Sequence, residues 1–141
     1  MGEAKSAARG APPERIVARM SEICHALPES REELAWVGVR WRIRRETYAH
    51  VLMVDGGWPP AYAAASGLQG PACLLTFRTG ERLFQPERYD GPPFFRPRWF
   101  PNIMGRVLDE PVDWDEVAGL VRESYCVLAP RKLAAAVRSW P

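Results

Sequence analysis

The sequence predicts an α+β domain, a two-layer sandwich in which an antiparallel sheet carries N- and C-terminal helices on one face. Three observations predict it. Helical periodicity is concentrated at the two ends of the chain, residues 36–44 alternate strictly between apolar and polar, and a stretch rich in proline and aromatics separates the last strands. The 141 residues are 47% hydrophobic and 26% charged. That composition suits one globular domain, taken as residues 12–141, behind a disordered tail at 1–11. No apolar run approaches the roughly 18 residues of a membrane span, and MGEAKSAARGAPPER lacks the apolar centre of a secretory signal. A cytoplasmic location and no membrane partner are the expectation.

Pro12 and Pro13 open the first helix, because proline fits the first turn, and Pro28 closes it. Ile16, Val17, Met20, Ile23, Cys24 and Leu27 form its apolar face. In the strand 36–44, Val37, Val39, Trp41 and Ile43 point one way and Gly38, Arg40, Arg42 and Arg44 the other. A turn at Arg45-Glu46 leads to a second strand, Tyr48–Asp55. Residues 58–70 read as a long loop with one helical turn over Ala61–Ala65. A third strand, Ala72–Arg78, directs Cys73, Leu75 and Phe77 to one face. Residues 84–101 hold six aromatics, five prolines and three arginines, a composition for ordered but irregular backbone with short extended pieces. Ile103–Leu108 is a further strand. Asp113 and Glu116 have capping-box spacing, with Val112 and Val117 placed as a hydrophobic staple, and Asp115 adds negative charge at the helix start. Val117, Leu120, Val121, Ser124 and Leu128 trace that helix's inner face. Ala129-Pro130 ends it before a short helix over Arg131–Arg138.

Charge is small in sum and uneven in place. The net value is +2, yet residues 31–45 carry five Arg against two Glu and residues 109–123 carry six acids against Arg122. Such segregation can steer a charged partner. Cys24, Cys73 and Cys126 are odd in number, show no C-x-x-C spacing and sit among apolar residues, so they read as reduced, buried hydrophobes rather than disulfides or zinc ligands.

Several stretches together resemble the MmcQ/YjbR family of small bacterial proteins. They are LPES from Leu27, WRIRRETYAHVLMVDGG from Trp41, Tyr89-Asp90-Gly91, and the closing Ala129-Pro130-Arg131-Lys132-Leu133. Arg88 stands where the subgroup has histidine before Tyr-Asp-Gly. The resemblance covers about residues 13–135 and implies a YjbR-like, secretion-chaperone-like sandwich, with DNA binding through a double-wing arrangement. It implies no catalytic residues.

The residues themselves offer no catalytic constellation. His25 and His50 have no second ligand at metal spacing, capping accounts for Asp113, Asp115 and Glu116, and both phosphate-loop patterns are absent. No cofactor and no metal are expected. On a strand, Arg40, Arg42 and Arg44 share a face at about 6.6–6.8 Å per two residues, near the phosphate spacing of a nucleic-acid strand, and Arg45 extends the row. Few acids are expected on the neighbouring strand. Arg98 and Trp99 add a cation and a stacking ring. The leading expectation is therefore a non-enzymatic DNA-binding module using Arg40, Arg42, Arg44, Arg45, Arg98 and Trp99. The alternative is a small-molecule or peptide pocket near 84–101, lined by Tyr89, Asp90, Phe94 and Phe95, with Trp99 beside them. A protein-interaction role through homodimerisation is the third.

Overall fold

The computed structural model describes residues 11–80, 89 and 91–141, so the expected tail (but for Ala11), the 81–88 stretch and Asp90 lie outside the described residues. Helix α1 (Glu14–His25) begins after Pro13 and buries Ile16, Met20 and Cys24, one side chain every four residues. Among the described residues six strands follow: β1 (Ser30–Leu34), β2 (Val39–Ile43), β3 (Glu46–Val54), β4 (Ala72–Arg78), β5 (Phe94–Phe95) and β6 (Ile103–Val107). Helix α2 (Pro60–Ser66) lies between β3 and β4, and α3 (Trp114–Leu128) and α4 (Arg131–Arg138) complete the chain. The strands make one antiparallel sheet in the order β1-β2-β3-β4-β6-β5. This is the α+β architecture that the end helices and the alternating strands predict.

The main core lies on the first face of the sheet. Trp41, Ala49, Val51, Leu75, Phe77 and Met104 pack there with side chains of α1, α3 and α4. A smaller cluster on the second face joins Val37, Leu52, Val54, Leu74 and Phe95 to Ala63 of α2. Hence the two ends of the chain cover one face, and a single short helix with the aromatic loop covers only part of the other.

Local chemistry explains the main details. At the start of α3, Asp113 accepts a hydrogen bond from the Glu116 N–H at 3.1 Å. The capping box is half closed, because the Glu116 carboxylate is taken by Arg106, a buried arginine of β6, at 2.7 Å. A bulge between Trp41 and Arg42 leaves Tyr48 without a rung and sends it, like Ala49, to the helix face. The β3–β4 ladder ends at Ala49 and Phe77, so its next rung would set Tyr48 opposite Arg78. Ser124 of α3 stands in for that rung: its hydroxyl donates to the Tyr48 carbonyl at 2.5 Å and accepts from the Arg78 N–H at 2.7 Å.

Three expectations are corrected. The strand predicted over 36–44 starts at Val39. Gly38 turns the chain at φ +75°, where an added Cβ would stand 2.0 Å from the Val51 carbonyl oxygen, so Val37 reaches the second face instead of joining Trp41. The helical turn expected over Ala61–Ala65 in the 58–70 loop is longer, the seven-residue α2 from Pro60 to Ser66. Strand β1 was not foreseen: SREEL is mostly polar and lies at the edge of the sheet, so it shows no burial alternation to read.

Candidate functional site

The second face is where the sheet lies open. Register places Arg40 opposite His50, His50 opposite Thr76, and Thr76 opposite Gly105, one rung crossing β2, β3, β4 and β6. Period-two alternation adds Arg78 to the same face of β4. The side chains of Arg40, His50, Thr76 and Arg78, with Thr47, form the floor of a cleft of about 300 Å³. Its walls are aromatic: Trp36 from the β1–β2 turn, Tyr62 from α2 and Trp99 from the loop before β6.

The walls are fixed by their neighbours. Tyr62 and Trp99 meet edge to face with centroids 5.0 Å apart, and Tyr62 also meets His50 at 5.9 Å. Trp36 leans on Trp58 at 5.6 Å yet remains 81% exposed, and Trp99 is 45% exposed. The His50 Nε2 lies 2.6 Å from the Val37 carbonyl, which can only accept, so Nε2 carries the proton. Nδ1 is then the acceptor facing the Tyr62 hydroxyl at 3.3 Å. Burial holds the imidazole pKa below its ordinary value, and the nearby Arg40 charge acts the same way.

Arg78 is the cation of the cleft. Its guanidinium donates from Nη1 to Asn102 Oδ1 at 3.0 Å and lies 4.4 Å over the Phe100 ring. No carboxylate among the described residues is within ion-pair distance of it. Burial lowers its pKa, with the field of Glu46 opposing. The Thr76 residue is 8% exposed, lines the cleft, and its hydroxyl makes no hydrogen bond among the described residues.

The arginine row has a different setting from the one expected. Glu33 of β1 pairs with Arg40, whose Nη2 is 2.6 Å away, and with Arg42, whose Nη1 is 3.1 Å away. These two guanidinium groups hold the Glu33 carboxyl below the usual carboxylate range. Arg42 also donates to the Arg45 carbonyl at 2.6 Å, and its Nε is closed off from water. Arg44 leaves the row altogether: at φ +58° it belongs to the β2–β3 turn and pairs with Glu29 at 2.9 Å. The premise of counter-charge-free guanidinium groups along one strand therefore fails, because β1 and the residue before it supply the acids. Arg45 and Arg98 are exposed on the surface.

Of the residues expected to line a pocket near 84–101, Tyr89 borders a second, smaller cleft with Thr79, Glu123 and Val127, and Phe95 is buried. Tyr89 is buried against Phe77 and Phe94, with centroids at 6.0 and 5.1 Å. Phe95 lies flat on Gly105, whose missing side chain makes the room. Asp90 is outside the described residues. Among the described residues of that group, Trp99 lines the cleft on the open sheet face. His50, Tyr62, Thr76 and Arg78 were missed, although strand parity held the signal: once Cys73, Leu75 and Phe77 face the helices, Thr76 and Arg78 must face away.

Cys24, Cys73 and Cys126 are free thiols and all buried. Burial pushes Cys24 and Cys73 up to about 12, which leaves them unreactive. Among the described residues no group of three or more His, Cys, Asp and Glu could hold a metal ion, and no helix is long and apolar enough to cross a membrane.

The fold is similar to that of a Pseudomonas syringae protein whose crystal structure was solved as a structural-genomics target. The two chains are 12% identical, the match covers 76% of this chain and 93% of that one, and the TM-score is 0.56. No family model and no curated protein matches the chain.

Proposed function

We propose that this chain is a non-catalytic binding module, of the MmcQ/YjbR type that its sequence motifs resemble, and that it takes a small organic anion in the cleft on the open sheet face. One observation carries the reading. Arg78 stands half-buried in the cleft wall with no carboxylate in reach among the described residues, beside the Thr76 hydroxyl, which has no hydrogen-bond partner there. A half-buried cation without an ion-pair partner and a hydroxyl donor on one floor favour an anionic occupant.

DNA binding is the second reading, and it moves off the row first expected for it. Arg31, Arg40 and Arg42 share one face of β1 and β2 against Glu33, and Arg45, Arg98 and Trp99 are exposed. Guanidinium groups in excess near an exposed ring suit phosphate contact and base stacking. Calorimetric titration of the full chain with small organic anions and with oligonucleotides, at low and at physiological salt, separates the two. The proposed reading expects saturable binding of small anions that Arg78→Gln weakens by about 10- to 100-fold. Oligonucleotide binding that is steep in salt, lost in Arg31→Ala/Arg42→Ala and indifferent to Arg78→Gln, would replace it with the second. No heat with any anion would overturn both.

A further inference from the structure

We infer that the ligand of this cleft is a planar aromatic ring bearing one acidic group, carboxylate or phosphate, with the acid at Arg78 and Thr76 and the ring against Tyr62 and Trp99. The inference rests on the anion-binding reading above and adds the ligand's shape, charge and orientation. Size comes first. A cleft of about 300 Å³ stands at the lower end of small-molecule sites, room for one or two fused rings and not for a chain. Charge comes next. The Arg40 head also lines the cleft but is committed to Glu33, so Arg78 is the cation left to answer, and one acidic group answers it.

The acid end has donors in place. Asn102 and the Phe100 ring hold the Arg78 guanidinium from outside and engage only Nη1, which leaves its other N–H groups for an acceptor. Thr76, on the same face two residues earlier, adds a hydroxyl donor, and Thr47 lies on the floor beside them. The walls around these donors have rings. Tyr62 meets His50 and Trp99 edge to face, so its ring has neighbours on two sides before any ligand arrives. Trp36 and Trp99 keep large apolar surfaces in water, and a ring inserted between them would cover both. His50 is neutral and supplies no second positive charge, so nothing on the floor calls for a dianion spread along the cleft.

Four probes test this on the intact chain: naphthoate, naphthyl phosphate, acetate and the neutral naphthol. Calorimetry gives affinity, and tryptophan fluorescence reports the rings at Trp36 and Trp99. One of the two aromatic acids is expected to bind one to one, and which of them does so identifies the acidic group. Acetate and naphthol should bind at least about 10-fold more weakly. Arg78→Gln should weaken the aromatic acid by about 10- to 100-fold, the worth of a charge-assisted contact. Thr76→Val, which removes only the hydroxyl, and Trp99→Ala should each weaken it several-fold and carry the test if Arg78→Gln does not fold. Acetate binding as tightly as the aromatic acids would overturn this inference while leaving the anion site standing. Failure of all four probes would overturn both. An aromatic acid that binds unchanged to Arg78→Gln, Thr76→Val and Trp99→Ala would place the site elsewhere.

Discussion

Ser124→Ala tests the way the helix layer sets up the cleft. The Ser124 hydroxyl is fully buried and serves two main-chain groups at once, donating to Tyr48 at 2.5 Å and accepting from Arg78 at 2.7 Å. Alanine removes one oxygen and leaves a carbonyl and an N–H facing each other across a gap that the shortened side chain cannot fill. Each buried backbone group left without a partner costs about 1–3 kcal/mol, so the pair should cost about 2–5 kcal/mol once partial closure of the gap is allowed for. For a domain near this length, each kcal/mol lowers Tm by roughly 3–5 °C, so a fall of roughly 6–25 °C is expected. Urea unfolding followed by tryptophan fluorescence should move its midpoint down with little change in slope. Because the Arg78 backbone is one of the two groups released, affinity for a small anion should fall as well. A stability loss below about 0.5 kcal/mol, the range of an uninvolved surface substitution, would refute the idea that this hydroxyl replaces the missing rung.

The remaining predictions concern packing, capping, thiols and pH. Gly105→Ala places a Cβ 2.2 Å from the Phe95 ring and should cost about 1–3 kcal/mol in the same unfolding assay by forcing that ring off the sheet. Asp113→Ala removes the acceptor of the Glu116 N–H and should cost about 1 kcal/mol, with loss confined to stability. The thiols of Cys24 and Cys73 should alkylate slowly in the native protein at neutral pH and rapidly in denaturant, since burial suppresses the thiolate. Fast native labelling would contradict their burial. The His50 imidazole is neutral in the folded chain, and its folded pKa lies below the unfolded one. Its contribution to stability is therefore present above the ordinary imidazole value of about 6.5 and lost as pH falls through the folded value. His50→Gln should flatten the fall in stability between about pH 7 and pH 5.

The helices were legible because their signals are local. Ile16, Met20 and Cys24 repeat at helical spacing, and Asp113 and Glu116 mark a helix start, whatever the rest of the chain does. The central strands were legible because one side of each is buried, which imposes alternation on Trp41, Ile43, Leu75 and Phe77. Strand β1 carries no such constraint. Arg31, Glu32 and Glu33 at an edge read as loop, and so Glu33, the acid that meets Arg40 and Arg42, could not be set beside them from the sequence. A charged residue's partner is a question of register, and register across an unseen strand cannot be counted.

The cleft failed to emerge for a related reason. Its floor takes one or two residues from each of four elements, so no stretch of sequence announces it. Arg40 and Trp99 were picked out for their chemistry alone, whereas Thr76 gains meaning only from the rung it shares with His50, and Arg78 from lying two residues along the same face over the Phe100 ring. Tyr89, Phe94 and Phe95 were ambiguous in the sequence because aromatic residues in a proline-rich loop serve equally well as a plug and as a pocket lining. Here they seal the core and the space above Gly105.

Arginine side-chain Nε–H spectroscopy during titration with naphthoate and naphthyl phosphate tests the anion site most directly. The Arg78 resonance is expected to shift and saturate with one equivalent bound, while Arg44, held by Glu29 in the β2–β3 turn, stays in place. An Arg78 signal that does not move, with the exposed arginines drifting in proportion to added salt, would contradict it.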